Sequence, residues 1–215
     1  MISLDDIKKT LKQIEKKIEH CPPPGADFII NRWGRDPFIL LVYCILSLRT
    51  RDKLSVKIGL QLFDIIHTPE AFCEISVEKL TKIIHGVGFY KRKAIQIKKC
   101  AEIIVKKFCG NVPSSEEDLL SLPGVGRKTM NLVLQQAFLK PTFCVDTHVH
   151  RIANTLRFVQ TKTPEQTEFA LKNLLPKSLW TIVNRLLLVY GQSVCTSFKH
   201  QCSLLVENHQ VKKLK

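Results

Sequence analysis

The sequence predicts an all-α protein, and three observations carry that prediction. Apolar residues recur at three- and four-residue spacings, capping residues repeatedly precede proline or acids, and no stretch alternates polar and apolar residues with a period of two. No hairpin dipeptide joins two apolar runs. Residues 2–18 place Ile7, Leu11, Ile14 and Ile18 along one face of an amphipathic helix whose outer face is rich in lysine. Asp36-Pro37 opens a helix through FILLVYCILSL. The carboxylate accepts from amides of the first turn, and proline stands where no amide hydrogen is needed. Residues 53–66 and 93–108 repeat the amphipathic pattern. Thr68-Pro69-Glu70 before AFCEI, Ser115 before EEDLLSL and Thr163-Pro164-Glu165 before EFALKNLL supply three more starts, with acids near the positive end of the helix dipole. An apolar helix over 129–139 gives way to Pro141. CPPPG at 21–25 reads as a hinge, and LKPTFC at 139–144 as a second boundary.

The 215 residues suffice for one large or two small domains, and 45% hydrophobic residues can build a core. Lys and Arg number 33 against 19 Asp and Glu, a net charge of +14, so the surface attracts polyanions. Ribosomal and membrane-surface proteins share that trait. No apolar run approaches the roughly 20 residues of a membrane span. The first twenty residues are too charged for a signal peptide and carry acids where a transit peptide avoids them, so no targeting signal is recognised. Eight cysteines (21, 44, 73, 100, 109, 144, 195, 202) are scattered, several within apolar runs, which reads as reduced thiols in a cytosol-like compartment.

Residues 122–129, LPGVGRKT, end like a nucleotide-binding P-loop. That loop needs glycine directly before Lys-Thr and a buried strand upstream. Here Arg127 precedes Lys128, and the upstream run is acidic and helical. What remains is helix, Leu122-Pro123-Gly124-Val125-Gly126, helix. Two glycines allow a tight turn, and the next helix offers amides at its N-terminus, which together suit an anion. An ordinary helix–helix turn without a ligand is the plain alternative. Gly86-Val87-Gly88-Phe89-Tyr90 repeats the pattern, leading into Lys91, Arg92 and Lys93, and read alone it fits a helix cap with core aromatics as well as a nucleic-acid contact. Two basic Gly-x-Gly turns in one basic helical chain fit binding that follows the DNA backbone.

Residues 143–151 read FCVDTHVHR. A carboxylate after Phe-Cys-Val is costly unless paired or used, so Asp146 is either a functional acid or the N-cap of a helix beginning THVHRIAN. His148 and His150, two apart, are poorly spaced for joint metal ligation from one helix, and no metal site is assigned.

LPGVGRKTMN, VDTHVHRIAN about twenty residues later, PFILLVYCILSLRTRD upstream and HGVGFYKRKA between them resemble the endonuclease III family. These are helix-hairpin-helix, Gly/Pro-Asp DNA glycosylases, and the match runs in family order along nearly the whole chain. The resemblance implies a two-lobed helix-hairpin-helix glycosylase fold with the active site in the interlobe cleft. A six-helix lobe would span 30–140; residues 1–29 and 141–215 would form the second helical lobe. It implies Lys128 as nucleophile and Asp146 as catalytic carboxylate, with Leu122, Pro123, Gly124, Val125, Gly126, Arg127, Gly86, Gly88, Lys91 and His148 facing DNA. It also implies that Arg49 and Phe89 fill the gap left by an extruded base. Family members usually carry Gln where this chain has Arg49, and an aliphatic wedge where it has Phe89. The expected activity is that of a bifunctional DNA glycosylase/AP lyase of base excision repair, a monomer acting on oxidised pyrimidines and abasic sites in double-stranded DNA. Monofunctional relatives lack the lysine.

The chemistry is coherent in itself. Cleavage of a glycosidic bond passes through an oxocarbenium-like state that a carboxylate stabilises. An amine captures C1′, the iminium acidifies the neighbouring proton, and β-elimination nicks the strand. An ordinary lysine is under about 0.1% free amine at pH 7, so such chemistry favours desolvation and cationic neighbours such as Arg127. Two rivals stay open: a mismatch- or uracil-type glycosylase, which Arg49 keeps in play, and a non-catalytic helix-hairpin-helix DNA-binding protein, which would need neither Lys128 nor Asp146. The workplace would be cytoplasmic in a bacterium, nuclear or organellar in a eukaryote.

The C-terminus departs from the family, whose four cysteines, spaced x6, x2, x5, hold a [4Fe–4S] cluster. Cys195 and Cys202 match the first spacing, but Leu205 and Val211 occupy the next two positions. Four thiolates are needed, so no cluster and no other cofactor is expected. Zinc held with His200 or His209 is the alternative.

Overall fold

A computed structural model of the chain describes residues 2–196. Among these residues there are twelve α-helices, one 3-10 turn and no strand, so the all-α expectation holds. The chain forms two compact units, Pro24–Thr142 and the combination of residues up to Pro23 with those from Phe143 onward. The two crossings fall within CPPPG and LKPTFC.

The unit Pro24–Thr142 contains α2 (Gly25–Trp33), α3 (Pro37–Ser47), α4 (Asp52–Ile65), α5 (Pro69–Glu74), α6 (Val77–Ile83), α7 (Tyr90–Phe108), α8 (Glu116–Ser121) and α9 (Arg127–Gln136). Helix α3 is the core. Every residue from Phe38 to Leu46 is buried, and α2, α4, α7 and α9 pack against it. A helix apolar all round is stable only when enclosed, and each fully buried Leu or Ile contributes about 1.5–3 kcal/mol. Its start is fixed by Asp36, whose Oδ1 accepts from the amides of Phe38 and Ile39, both at 2.9 Å. Thr68, Ser76 and Ser115 cap α5, α6 and α8 in the same way.

The other unit contains α1 (Leu4–Ile18), α10 (Thr147–Thr155), α11 (Pro164–Leu174) and α12 (Trp180–Ser193). Ile7, Leu11 and Ile14 of α1 are buried as the periodicity requires, and Ile18 packs at the margin. Helix α12 packs on α1 and α10. It approaches α10 closely at Gly191, where an added Cβ would lie 2.9 Å from Ile152 Cγ1 and 3.0 Å from His148 Cβ.

Cys21, Cys44, Cys73, Cys100, Cys109 and Cys144 are free thiols. Cys195 is disulfide-bonded, which corrects at that position the reading of all the cysteines as reduced thiols. Spacing in sequence says nothing about which sulfurs come within bonding distance, because that depends on Cα separation in the fold. Cys202, Leu205, Val211 and the two histidines at 200 and 209 lie outside the described residues.

Candidate functional site

The LPGVG turn joins α8 to α9. Leu122 and Val125 are buried and anchor it, 2% and 7% exposed, while the amide of Val125 donates to the Leu122 carbonyl at 3.1 Å. Gly124 has φ 83°, a left-handed conformation that disfavours any side chain. Gly126 is the N-cap of α9, supplies no side-chain cap, and faces open space where a Cβ would sit. The first turn of α9 then divides its residues: Arg127 and Lys128 are exposed, Thr129 and Met130 buried. Helix α7 supports the turn from behind. The Cys100 thiol, which burial pushes up to about 12, donates to the Pro123 carbonyl at 2.9 Å. Gln96 lies where a Cβ on Gly124 would be 3.1 Å from its Cδ. Neither residue stood out in the sequence, because a helix-to-turn contact across many residues leaves no local pattern.

The second Gly-x-Gly segment lies against a loop distant in sequence. The amide of Gly88 donates to Thr50 Oγ1 at 3.1 Å, and a Cβ on Gly88 would stand 2.3 Å from the carbonyl oxygen of Arg49. Glycine at 88 is therefore required by proximity, whereas Gly86, at φ 95°, is required by conformation. Arg49 and Phe89 meet at the surface, with the guanidinium carbon 5.8 Å from the ring centroid and the ring 61% exposed. Lys91 and Arg92 are exposed beside them. A cavity of about 440 Å³ lies among Leu48, Arg49, Phe89, Arg92, Lys93, Gln96 and Gly124, so residues of three separate sequence segments share one concavity.

Asp146, in the other unit, is the N-cap of α10, and its Oδ1 accepts from the amides of His148 and Val149, both at 2.9 Å. The capping reading of this residue is thus realised. His148 places Nδ1 3.2 Å from the Gly191 carbonyl; that oxygen can only accept, so Nδ1 is the donor. His150 turns toward Thr167 Oγ1 at 2.6 Å and Asn154. The two histidines therefore bond to different helices. Arg151 donates to the carbonyls of Gly191 and Cys195 at 2.9 and 2.6 Å, fastening the end of α12 to α10.

The family model for HhH-GPD superfamily base excision DNA repair proteins matches residues 42–177, a span holding both Gly-x-Gly turns, Lys128 and Asp146. The chain belongs to the HhH-GPD superfamily. Among HhH-GPD proteins it is 45% identical to Endonuclease III of Thermotoga maritima over 187 residues, covering 84% of this chain and 88% of that protein. The structure of a non-covalent Endonuclease III–DNA complex is similar with a TM-score of 0.83 at 31% identity, covering 94% of this chain and 92% of the other. That of a trapped Endonuclease III–DNA covalent intermediate gives 0.82 at 30% identity, with the same coverage.

Endonuclease III relatives usually carry a [4Fe–4S] cluster. The donor set of this HhH-GPD chain does not fit one. Of the four positions, cysteine stands only at 195 and 202, and a cluster of this kind takes four thiolates. Among the described residues no group of three or more His, Cys, Asp or Glu is placed to hold a metal.

Proposed function

We propose that this HhH-GPD protein removes oxidised pyrimidines from duplex DNA, with Lys128 as nucleophile and Asp146 as the carboxylate that supports the departing base. The chain is a base excision repair DNA glycosylase/AP lyase and its partner is DNA, given its likeness to Endonuclease III and to Endonuclease III–DNA complexes over more than four-fifths of its length. One observation carries the residue assignment. Lys128 stands exposed on the first turn of α9, close after Gly126, where the backbone faces open space. A phosphodiester can reach such a turn closely, and Lys128, the second residue of α9, stands next to it, exposed toward whatever the turn binds.

The glycosidic bond breaks and its electron pair leaves with the base, while Asp146 stabilises the positive charge on the sugar. Lys128 Nζ bonds to C1′ and loses a proton, and ring opening gives the iminium. Loss of a C2′ proton then expels the 3′ phosphate, nicking the strand, and water hydrolyses the remaining imine to regenerate the amine. Arg127, beside the nucleophile in sequence and likewise exposed, supplies positive charge toward the backbone.

Borohydride added to protein and abasic-site DNA reduces the imine to a stable cross-link. Wild-type protein should yield the cross-linked band and Lys128→Ala should not. Absence of the band with folded, DNA-binding wild-type protein overturns the assignment.

We infer from the incomplete donor set that the protein works without an iron–sulfur cluster. Anaerobically purified protein should lack the broad visible absorbance of a cluster and contain substoichiometric iron; a brown protein with about four irons per chain overturns this. Its place is with the DNA of the cell, cytoplasmic in a bacterium and nuclear or organellar in a eukaryote.

A further inference from the structure

Lys93 of α7 points into the protein. It is 4% exposed, and its Nζ donates to the Leu46 carbonyl at 2.8 Å, to the Leu48 carbonyl, and to Thr50 Oγ1 at 3.2 Å. Leu46 and Leu48 stand at the C-terminal end of α3, where carbonyls have no helical partner left. A cation there satisfies them and meets the negative end of the dipole. Thr50 Oγ1 in turn accepts from the amide of Gly88. A single side chain thus binds the strand of chain carrying Arg49 to the turn carrying Phe89, with Thr50 as the shared joint.

The joint holds both neighbours in unusual backbone. Arg49 has φ 50° and Phe89 φ 59°, left-handed values that cost a residue with a side chain on the order of 1 kcal/mol each. Such conformations persist where the surroundings over-determine them. Here they aim a guanidinium and an exposed ring outward together, 5.8 Å apart.

We infer that Lys93 is a positioning residue that fuses the Arg49 and Phe89 loops into one prebuilt wedge, so that both side chains enter the base stack of DNA as a unit. Burial pushes its ammonium down from the ordinary lysine range to about 8, which still leaves three hydrogens at pH 7 for three acceptors. An apolar wedge between bases costs unstacking energy, and a wedge already in place spares the ordering cost of two separate loops. The inference rests on the DNA-repair reading but not on the Lys128 chemistry.

The same helix supplies its own control. Lys98 donates to the carbonyls of Cys73 and Ile75 at 2.6 and 2.8 Å, closing the end of α5 as Lys93 closes that of α3, away from both loops. The experiment uses a duplex with a tetrahydrofuran abasic analogue opposite 2-aminopurine, whose fluorescence rises when it is unstacked. At saturating wild-type protein the fluorescence should rise. With Lys93→Met the rise should fall at least threefold while the analogue is still bound, and Lys98→Met should keep the wild-type rise. Gly88→Ala, which forces a methyl group against the Arg49 carbonyl without altering the buried lysine, should reproduce the Lys93→Met result should that variant fail to fold. An unchanged rise in both Lys93→Met and Gly88→Ala overturns the inference, as does an equal loss in Lys98→Met or no rise with wild-type protein. Because the analogue cannot form an imine, a failed borohydride trap with a normal fluorescence rise rejects the lyase assignment and leaves the wedge standing.

Discussion

Under the proposed function Asp146 holds two duties in one side chain. A single oxygen, Oδ1, caps two amides of α10, and capping requires only an acceptor, not a charge. Supporting a cationic sugar requires the charge itself. Asp146→Asn and Asp146→Ala separate these needs. The asparagine variant keeps an acceptor and should melt within a few degrees of wild type, yet lose roughly 10²-fold or more in base excision. The alanine variant should lose the activity and also about 1 kcal/mol of stability. Thermal denaturation paired with single-turnover excision on one lesion duplex reads both quantities; an active asparagine variant would confine Asp146 to capping. The sequence left this residue open between cap and acid because both roles ask for the same residue after the same apolar run. Lys93 was hidden for a different reason. It sits in the basic run Lys91-Arg92-Lys93, and only the turn of α7 sends the third of these inward while the first two remain exposed.

At the scale of elements, close packing against α12 decides where α10 stands. Gly191 leaves no room for a methyl group against Ile152 and His148. Gly191→Ala should therefore destabilise the protein by about 1–3 kcal/mol. Because His148 N and Val149 N are the amides that Asp146 caps, it should also lower excision more than the stability loss accounts for. Denaturant melts alongside excision rates at a temperature where the variant is folded test this; an alanine variant as stable as wild type would show that the two helices can part. Helices with a side-chain cap and a periodic face, such as α1, α5, α8 and α11, were legible in the sequence. Helix α2 was not, for Pro24 stands at its N-cap and provides no capping bond. Helix α6, capped by Ser76 but only seven residues long, offers too few turns for periodicity to register. The LPGVG turn was legible because its glycines are local necessities. Its buttress of Gln96 and Cys100 was not, since those residues belong to the preceding long helix.

For the whole molecule, charge and division into units set the terms of DNA binding. The net charge of +14 is spread over a chain whose two Gly-x-Gly turns lie in one unit and whose Asp146 lies in the other. Contacts through lysine and arginine release counterions, so affinity for undamaged duplex should fall linearly with salt on logarithmic axes, by roughly 10³-fold or more between about 50 and 200 mM if six or more phosphates are engaged. Fluorescence anisotropy over that range provides the slope, and a shallow one would mean that much of the positive charge faces away from DNA. Composition announced a polyanion as partner, and the motifs together with the family resemblance narrowed it to DNA under repair. Which residues the folded chain gathers around the cavity beside Phe89 could not be read in advance, as they come from three segments joined only by packing.

Helix α7 runs from Tyr90, next to the exposed Phe89 ring, to Phe108, and is followed by Cys109. Its nineteen residues span about 28 Å. Cys109 is the one exposed free thiol among the described cysteines. A maleimide dye attached there would ride on a rigid rod at a known distance from the ring, so energy transfer to a dye on the DNA could report, molecule by molecule, when the protein halts its search and engages a lesion.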